Sequence, residues 1–238
     1  MIDIHSHILP GLDDGAGDMR ESLKMLDMAR RQEITDVIAT PHYSGYFHND
    51  DLQMIRKLCR KVQSQAEKRQ RSVVRIWPGQ EIMYSEDSLQ KLQTGRLLTL
   101  ADSRYVLIEF IPCVPYSYIL NAVQNLTENG YHPILAHVER YQTLNEFEKM
   151  YRLKKAGAFL QINYRSVGGR WYDPLTRSCR QLLRAGLVDF MGTDMHNTDT
   201  RKPDTKAAAE WMHKKLSPSY EAEILEKNPR KIISNEKK

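Results

Sequence analysis

Short apolar segments rich in β-branched residues alternate with amphipathic segments along most of this chain. Residues 36–40 and 105–111 are apolar runs of the length of buried strands, whereas residues 19–33 and 50–70 carry apolar side chains at helical spacing. The alternation continues through residues 73–77, 80–83, 133–137, 158–163 and 188–192 as strands, with helices over 117–129, 145–156 and 174–185. Such a pattern predicts a parallel sheet whose strands are connected by helices.

The length of the chain indicates how that sheet is arranged. A chain of 238 residues, 41% of them hydrophobic, can bury one substantial core. We therefore expect one α/β domain over residues 1–233, with a closed or distorted barrel favoured over an open sheet, and a charged tail over residues 234–238. The sequence contains no internal repeat or linker that would divide it.

Charge, hydropathy and cysteine content argue against several classes of protein. The net charge of +5 is spread along the chain, so we expect no nucleic-acid partner. We expect no membrane insertion because no apolar run approaches a membrane span, and no signal peptide because Met1 leads directly into a predicted strand. The three cysteines lack Cys-x-x-Cys spacing, which suits a reducing cytoplasm and argues against disulfides or a thiolate zinc site.

Two pairs of metal-binding side chains lie near opposite ends of the chain. His5 and His7 form one pair, and Asp194 and His196 form the other. Residues two apart in a strand point to the same face, so each pair can converge on one metal cluster. More imidazoles and carboxylates occur at the ends of other predicted strands and in the first loop: His42, Glu81, Glu109, His137 and Asp14. The carboxyl ends of the strands form the active site in parallel α/β barrels.

Each of these residues has a simpler explanation when taken alone. His42 could cap a turn, Glu109 could pair with an arginine, and His137 could be a structural histidine. However, an acid inside an apolar strand is costly to bury unless a cation compensates its charge. Because such residues recur at most of the predicted strand ends, we interpret them as a polynuclear metal site. The sequence leaves open whether Asp13 or its neighbour Asp14 is the ligand from the first loop.

The order of these motifs resembles the polymerase-and-histidinol-phosphatase (PHP) superfamily. The segments 1–7, 13–15, 103–110, 136–141, 194–197 and 228–232 resemble, more narrowly, the bacterial manganese-dependent protein-tyrosine phosphatases of capsule and exopolysaccharide loci. This resemblance runs nearly from end to end. It implies a distorted (β/α)7 barrel of the TIM-like PHP type, a trinuclear metal site and a substrate phosphorylated on tyrosine.

The resemblance also implies a role for each candidate residue. The first metal would be bound by His5, His7, Glu81 and Asp194, the second by Glu81, Glu109 and His137, and the third by Asp14, His42 and His196. Arg140 and Arg201 match positions that bind phosphate, which a guanidinium can contact through two N–H groups. Manganese is the expected metal, although this ligand set without thiolates suits iron, zinc or cobalt comparably.

The implied activity is hydrolysis of phosphotyrosine by a hydroxide that bridges two metals. The expected substrate is an autophosphorylating bacterial tyrosine kinase that controls polysaccharide synthesis or export, and the expected location is the cytoplasm. Two alternatives remain: a small-molecule phosphomonoesterase such as a histidinol-phosphate phosphatase, and a non-catalytic metal-binding module. The aromatic residues that would recognise tyrosine are also left open; Tyr43, Tyr46, Phe47, Tyr116 and Tyr118 could stack on a substrate ring or pack on the barrel rim.

Overall fold

Parallel β-strands form the centre of the molecule in a computed structural model that describes residues 1–69 and 74–234. Within those ranges there are nine strands: β1 Ile2–Ser6, β2 Asp36–Ala39, β3 His42–Tyr43, β4 Arg75–Pro78, β5 Glu81–Met83, β6 Tyr105–Glu109, β7 His132–Leu135, β8 Phe159–Asn163 and β9 Phe190–Gly192. They form a three-stranded sheet in the order β1-β2-β4 and a six-stranded sheet in the order β3-β5-β6-β7-β8-β9.

The two sheets together make one curled surface. Only Thr40 and Pro41 separate β2 from β3, and only residues 79–80 separate β4 from β5, so the chain passes directly from one sheet to the other at both places. On the opposite side, Ser6 pairs in parallel with Met195 just beyond β9. The carboxyl ends of the first and last strands are therefore in contact.

Helices surround the sheet and bury their apolar faces against it. They are α1 Met19–Arg31, α2 Leu52–Arg69, α3 Ser88–Gln93, α4 Tyr116–Glu128, α5 Phe147–Lys155, α6 Tyr164–Gly168, α7 Pro174–Arg184, α8 Lys206–Lys215, α9 Pro218–Ala222 and α10 Asn228–Ile233. A π-helical turn over Glu223–Lys227 joins α9 to α10. Local chemistry sets the starts of α1 and α7, because Asp18 and Asp173 accept hydrogen bonds from the first-turn N–H groups of Glu21 and Leu175. None of the described helices is long and apolar enough to cross a membrane.

The predicted α/β architecture with a parallel sheet is confirmed, and most element bounds agree within a few residues. The short helices α3 and α6 were not predicted, because six or five residues are too few to display a helical period. The strand predicted over 133–137 ends at Leu135, so His137 follows the strand instead of ending it. The predictions for residues 70 and 73, and for the tail beyond Ser234, lie outside the described residues.

A buried apolar cluster lies deeper in the sheet than the carboxyl-end acids. It includes Ile4, Ile38, Leu107, Ile134 and Phe190, all 0% exposed. Leu107 is two residues before Glu109 on β6, and therefore shares the strand face on which Glu109 lies. This layer supports the polar residues at the strand ends.

We expect Leu107→Ala to lower the free energy of unfolding by about 2–5 kcal/mol, because it leaves a cavity in this cluster. Leu175→Ala is the matched control: Leu175 is 42% exposed on α7, so its truncation should change stability by less than about 0.5 kcal/mol. Urea unfolding followed by circular dichroism measures both variants. Equal losses in the two variants would contradict this account of the core.

Candidate metal centre

The structure brings all nine candidate ligands together at the carboxyl end of the curled sheet. Four of them belong to strands: His5, His42, Glu81 and Glu109. The others follow a strand end closely or lie in the loop before α1: His7, Asp14, His137, Asp194 and His196. Seven of the nine are less than 9% exposed, and His42 and Asp14 are the more accessible members.

One group of donors surrounds a carboxylate oxygen of Glu81. Glu81 Oε2 lies 3.1 Å from His5 Nε2 and 3.2 Å from His7 Nε2. Asp194 Oδ1 lies 3.6 Å and 3.5 Å from the same two nitrogens. His5, His7 and Glu81 thus bring donor atoms within 4.8 Å of one another, and Asp194 lies beside both rings.

A second group lies around the other oxygen of Glu81. His137 Nε2 is 2.8 Å from Glu81 Oε1 and 3.7 Å from Glu109 Oε2. His42 Nδ1 is also close, at 3.1 Å from Glu109 Oε1 and 3.1 Å from Glu81 Oε2. Glu81 is therefore positioned between the first and second groups, and His42 adjoins the second group as well as the third.

The third group is the most open to solvent. His196 Nε2 lies 3.3 Å and His42 Nε2 lies 3.5 Å from Asp14 Oδ1. A ligand atom of His7 also falls within 4.8 Å of the donor atoms of these three residues. The Asp14 side chain is 49% exposed, so this side of the centre forms part of its mouth.

The structure gives different positions to the two neighbouring aspartates. Asp14 faces His196 and His42, whereas Asp13 lies behind His7, with Asp13 Oδ2 2.7 Å from His7 Nδ1. Asp13 also accepts hydrogen bonds from the backbone N–H groups of His42 and Gly15. Such a carboxylate orients a metal-binding imidazole from the side opposite the metal.

Gly15 allows this loop to approach β1 closely. A Cβ atom at residue 15 would lie 2.2 Å from the backbone oxygen of His7 and 2.5 Å from its Cβ. Any side chain would therefore push the loop away from the centre. The glycine after the two aspartates is required by this contact.

Two candidate ligands have left-handed backbone conformations. The φ angles are +34° at His137 and +51° at Asp194, a region that residues with a Cβ seldom occupy. Hydrogen bonds hold both peptides: the N–H of Asp194 donates to His5 O at 2.9 Å, and that of His137 donates to Gln161 Oε1 at 2.9 Å. Backbone strain of this kind is concentrated at functional sites.

Arg140 and Arg201 both lie at the centre, and both contact Asp194. Arg140 Nη2 pairs with Asp194 Oδ2, and Arg201 Nη2 lies 3.0 Å from Asp194 Oδ1. Arg201 Nη1 is also 3.4 Å from Asp14 Oδ2. The side chains are 39% and 29% exposed, respectively. The two guanidinium groups thus lie between the acids and the solvent.

The aromatic candidates occupy different surroundings. The ring of Phe47 stacks on His42 with centroids 5.7 Å apart, and its neighbour Tyr46 is 94% exposed. Tyr118 lines an apolar cavity of about 410 Å³ next to the ends of β5 and β6. The hydroxyl of Tyr116 donates to the backbone oxygen of Lys149. Of these residues, Phe47 therefore lies directly against a candidate ligand.

The carboxylates and imidazoles of the centre shift one another's ionisation. Burial alone would raise the pKa of Glu81, but His5 and the neighbouring imidazoles hold it well below its usual range. Burial alone would lower the pKa of His5 and His7, but the surrounding carboxylates raise both. The nearby imidazole of His196 lowers the pKa of Asp14. These shifts favour the ionised form of Glu81 and Asp14 and the protonated form of His5 and His7.

The residues present fit a set of divalent cations. Within the described residues, Glu81 Oε2 and His196 Nε2 are buried and make no hydrogen bond of good geometry, although other donor atoms of the cluster lie 3.1 Å and 3.3 Å from them. Both atoms point into the cluster, where a cation would satisfy their lone pairs. The donor set of imidazoles and carboxylates without thiolates is suited to divalent manganese, iron, cobalt or zinc.

Two polar residues at the end of β8 were not predicted from the sequence as part of the site. Gln161 and Asn163 are fully or almost fully buried and contact the candidate ligands His5 and Asp194. A signal was available, because these two residues are spaced two apart at a strand end, as His5 and His7 are. Amides are weak indicators of a metal site, whereas histidines and acids are strong ones.

We expect metal binding to release protons and to strengthen as the pH rises. The raised pKa values of His5, His7 and His42 mean that these rings hold a proton more strongly than a free imidazole does when no metal is bound. A metal can bind only the deprotonated nitrogen, so acid competes with it. Titration in weak buffer with an indicator dye measures the release, and calorimetry at pH 6, 7 and 8 measures the affinity. Binding that neither releases protons nor depends on pH would contradict the proposed ligands.

Comparisons with known proteins agree with this geometry. A family model described as capsular polysaccharide synthesis, CpsB/CapC, matches residues 1–234. The tyrosine-protein phosphatase CpsB of Streptococcus pneumoniae is 34% identical over 99% of this chain and 99% of that protein. The tyrosine-protein phosphatase YwqE of Bacillus subtilis (strain 168) is 35% identical over 87% of this chain and 82% of that protein.

Comparison with solved structures also finds tyrosine phosphatases similar to this chain. A crystal structure from a study of YwqE from Bacillus subtilis and CpsB from Streptococcus pneumoniae, described there as unique metal-dependent tyrosine phosphatases, matches with a TM-score of 0.92. It is 33% identical and covers 99% of this chain and 95% of that chain. A histidinol phosphate phosphatase from Lactococcus lactis matches with a TM-score of 0.54 at 16% identity, over 98% of this chain and 92% of that chain, which shows a shared fold alone. The resemblance inferred from the motifs is confirmed.

Proposed function

Because this chain belongs to the CpsB/CapC family of capsular polysaccharide synthesis, we infer that it is a metal-dependent tyrosine-protein phosphatase. One observation carries this conclusion: full-length similarity to tyrosine phosphatases coincides with a cluster of imidazoles and carboxylates in metal-binding geometry, which His137 and Asp194 adjoin, and with two arginines at its mouth. A role as a non-catalytic metal-binding module does not account for the paired arginines.

We assign three metals to the three groups of donors. The first would be held by His5, His7, Glu81 and Asp194, the second by Glu81, Glu109 and His137, and the third by Asp14, His42 and His196. The position of Glu81 between two groups supports a bridging role. Manganese is our proposal for the metal, since hard carboxylate oxygens and imidazoles both bind it.

Bound divalent cations would neutralise the phosphate dianion and lower the pKa of a coordinated water toward about 7, which makes hydroxide available at neutral pH. Arg140 and Arg201 contribute N–H groups that can contact the phosphoryl oxygens. Asp194 holds both guanidinium groups in place through their ion pairs, so the arginines are oriented before substrate arrives. Pre-oriented donors stabilise developing charge at little reorganisation cost.

The substrate explains why the centre needs no strong general acid. A tyrosine phenolate has a pKa of about 10, so it leaves with little protonation compared with an alkoxide. The cysteines are not alternatives as nucleophiles. Cys59 and Cys179 are buried, and burial raises the pKa of Cys59 to about 12, while the exposed Cys113 lacks the Cys-x5-Arg loop of thiol phosphatases. Phosphoryl transfer to water at the metal centre is therefore the reaction that we propose.

We propose that the strands form a (β/α)7 barrel. If β2 and β3 are counted as one interrupted strand, and β4 and β5 as another, the nine described strands become seven. We propose that residues 1–233 form one phosphatase domain located in the cytoplasm. We also propose that its substrate is an autophosphorylating tyrosine kinase of polysaccharide synthesis or export, because similar proteins are tyrosine phosphatases of capsule synthesis.

Removal of metal should abolish turnover of both p-nitrophenyl phosphate and a phosphotyrosine peptide, and Mn²⁺ should restore it after the chelator is removed. Metal analysis of the same samples links activity to bound metal. Full activity in a metal-depleted sample would exclude this mechanism.

The same preparation distinguishes the two candidate substrate classes. We expect a higher kcat/KM for the phosphotyrosine peptide than for histidinol phosphate, because the full-length relatives are tyrosine-protein phosphatases. A strong preference for histidinol phosphate would instead support the small-molecule phosphomonoesterase.

Arg140→Lys and Arg201→Lys should each lower kcat/KM for the peptide by about 100-fold, since lysine keeps the charge but loses the paired N–H donors. Metal content should not change. Arg152→Lys is the control, because Arg152 pairs with Glu148 on the exposed face of α5. If all three variants match the wild type, the two arginines have no part in binding phosphate.

A further inference from the structure

The carboxyl end of β8 contributes two neutral amides to a region otherwise made of ionisable ligands. Gln161 is 0% exposed and Asn163 is 2% exposed. They lie two residues apart on one strand, so both side chains point to the same face. Gly192 on the neighbouring strand leaves the necessary space, because a Cβ there would lie 2.8 Å from His5 Cβ and 2.9 Å from Gln161 Nε2.

The two amides form a continuous hydrogen-bonded chain between candidate ligands. Gln161 Oε1 accepts from the backbone N–H of His137 at 2.9 Å and lies 3.2 Å from His5 Nδ1. Gln161 Nε2 donates to Asn163 Oδ1 at 2.8 Å. Asn163 Nδ2 then donates to Asp194 Oδ2 at 3.0 Å.

The groups at the two ends determine the direction of every hydrogen bond in this chain. A backbone N–H can only donate, so the oxygen of Gln161 must face His137 and its nitrogen must face Asn163. An ionised carboxylate can only accept, so the nitrogen of Asn163 must face Asp194. The amide orientations therefore follow from the network and do not depend on distinguishing oxygen from nitrogen.

This direction has a consequence for His5. Because Gln161 Oε1 acts as an acceptor, His5 Nδ1 must carry a proton. The other nitrogen, Nε2, is then the one whose lone pair is available, and it faces Glu81 Oε2 at 3.1 Å. Asp13 has the equivalent position behind His7, where its carboxylate faces Nδ1. The two imidazoles are thus oriented from behind by different groups.

We propose that Gln161 and Asn163 are positioning residues of the metal centre, which hold His5 with Nε2 toward the metal and fix the carboxylate of Asp194. The inference rests on the metal site assigned above. Gln161 also holds the peptide of His137 in its left-handed conformation, so one amide supports ligands of both the first and the second metal. Partners of metal ligands are known to influence metal affinity strongly.

The chemistry of the two residues fits this role better than that of the alternatives. Each must accept at one end and donate at the other, which an amide can do and a carboxylate cannot. A carboxylate at residue 163 would also place a second negative charge beside Asp194. An apolar residue at 161 would leave the buried N–H of His137 unpaired, which is energetically costly.

The test replaces each amide with an apolar side chain of similar size and measures Mn²⁺ binding by isothermal titration calorimetry. Gln161→Met and Asn163→Leu should each weaken the first site by about 10–100-fold. Gln80→Met is the matched control, because Gln80 is also 0% exposed and its amide hydrogen-bonds the backbone of Leu98 and Asn49. It should lower thermal stability without weakening Mn²⁺ binding.

Circular dichroism of the metal-free proteins establishes that each variant is folded. If Gln161→Met does not fold, the Mn²⁺ affinity of Asn163→Leu alone tests the inference. Wild-type Mn²⁺ affinity in the folded variants would overturn the inference, and so would equal weakening in Gln80→Met. If the wild-type protein itself takes up no Mn²⁺, then the proposed metal site fails, which is a different result.

Discussion

The architecture of the centre depends on burying the carboxylate of Glu81 completely. An isolated ionised acid in such a position would be far too costly, so it must be compensated by cations. In the structure His5, His7 and His137 surround its two oxygens; the first two rings come from the end of β1 and the third from the segment after β7. The cost of this burial therefore links distant segments of the chain. If one ring is displaced, part of the charge of Glu81 is no longer compensated.

Surrounding contacts also constrain the geometry of the ligands. Gly15 and Gly192 permit backbone approaches that any side chain would block, and the left-handed peptides of His137 and Asp194 turn their side chains inward. These features lower local conformational freedom, and the adjoining hydrogen bonds and packed strands must offset their cost. The centre is thus built by the whole carboxyl edge of the sheet, including residues that carry no charge.

Much of the fold and most of the candidate ligands could be predicted from the sequence, for physical reasons. Buried parallel strands are continuous apolar runs, so an acid such as Glu109 within one is conspicuous. Contacts that arise only when the chain has folded were harder to predict from the sequence. The sequence alone could not assign Asp13 to the back of His7, because neighbouring residues in a loop have no fixed facing direction. Nor did it reveal Gln161, whose importance depends on the hydrogen bonds it makes.

The contact between the first and last strands affects when the site can form during folding. Asp3 and Thr193, 190 positions apart in sequence, are joined by a buried hydrogen bond directly below the ligands that flank them. Contacts of such large sequence separation form late and slowly, because the intervening chain must first lose its freedom. During synthesis on the ribosome, His5 and His7 can therefore contact Asp194 only after nearly the entire polypeptide has been made. We therefore expect hydrolytic activity to arise only once the first and last strands have come together, and not in a partly synthesised protein.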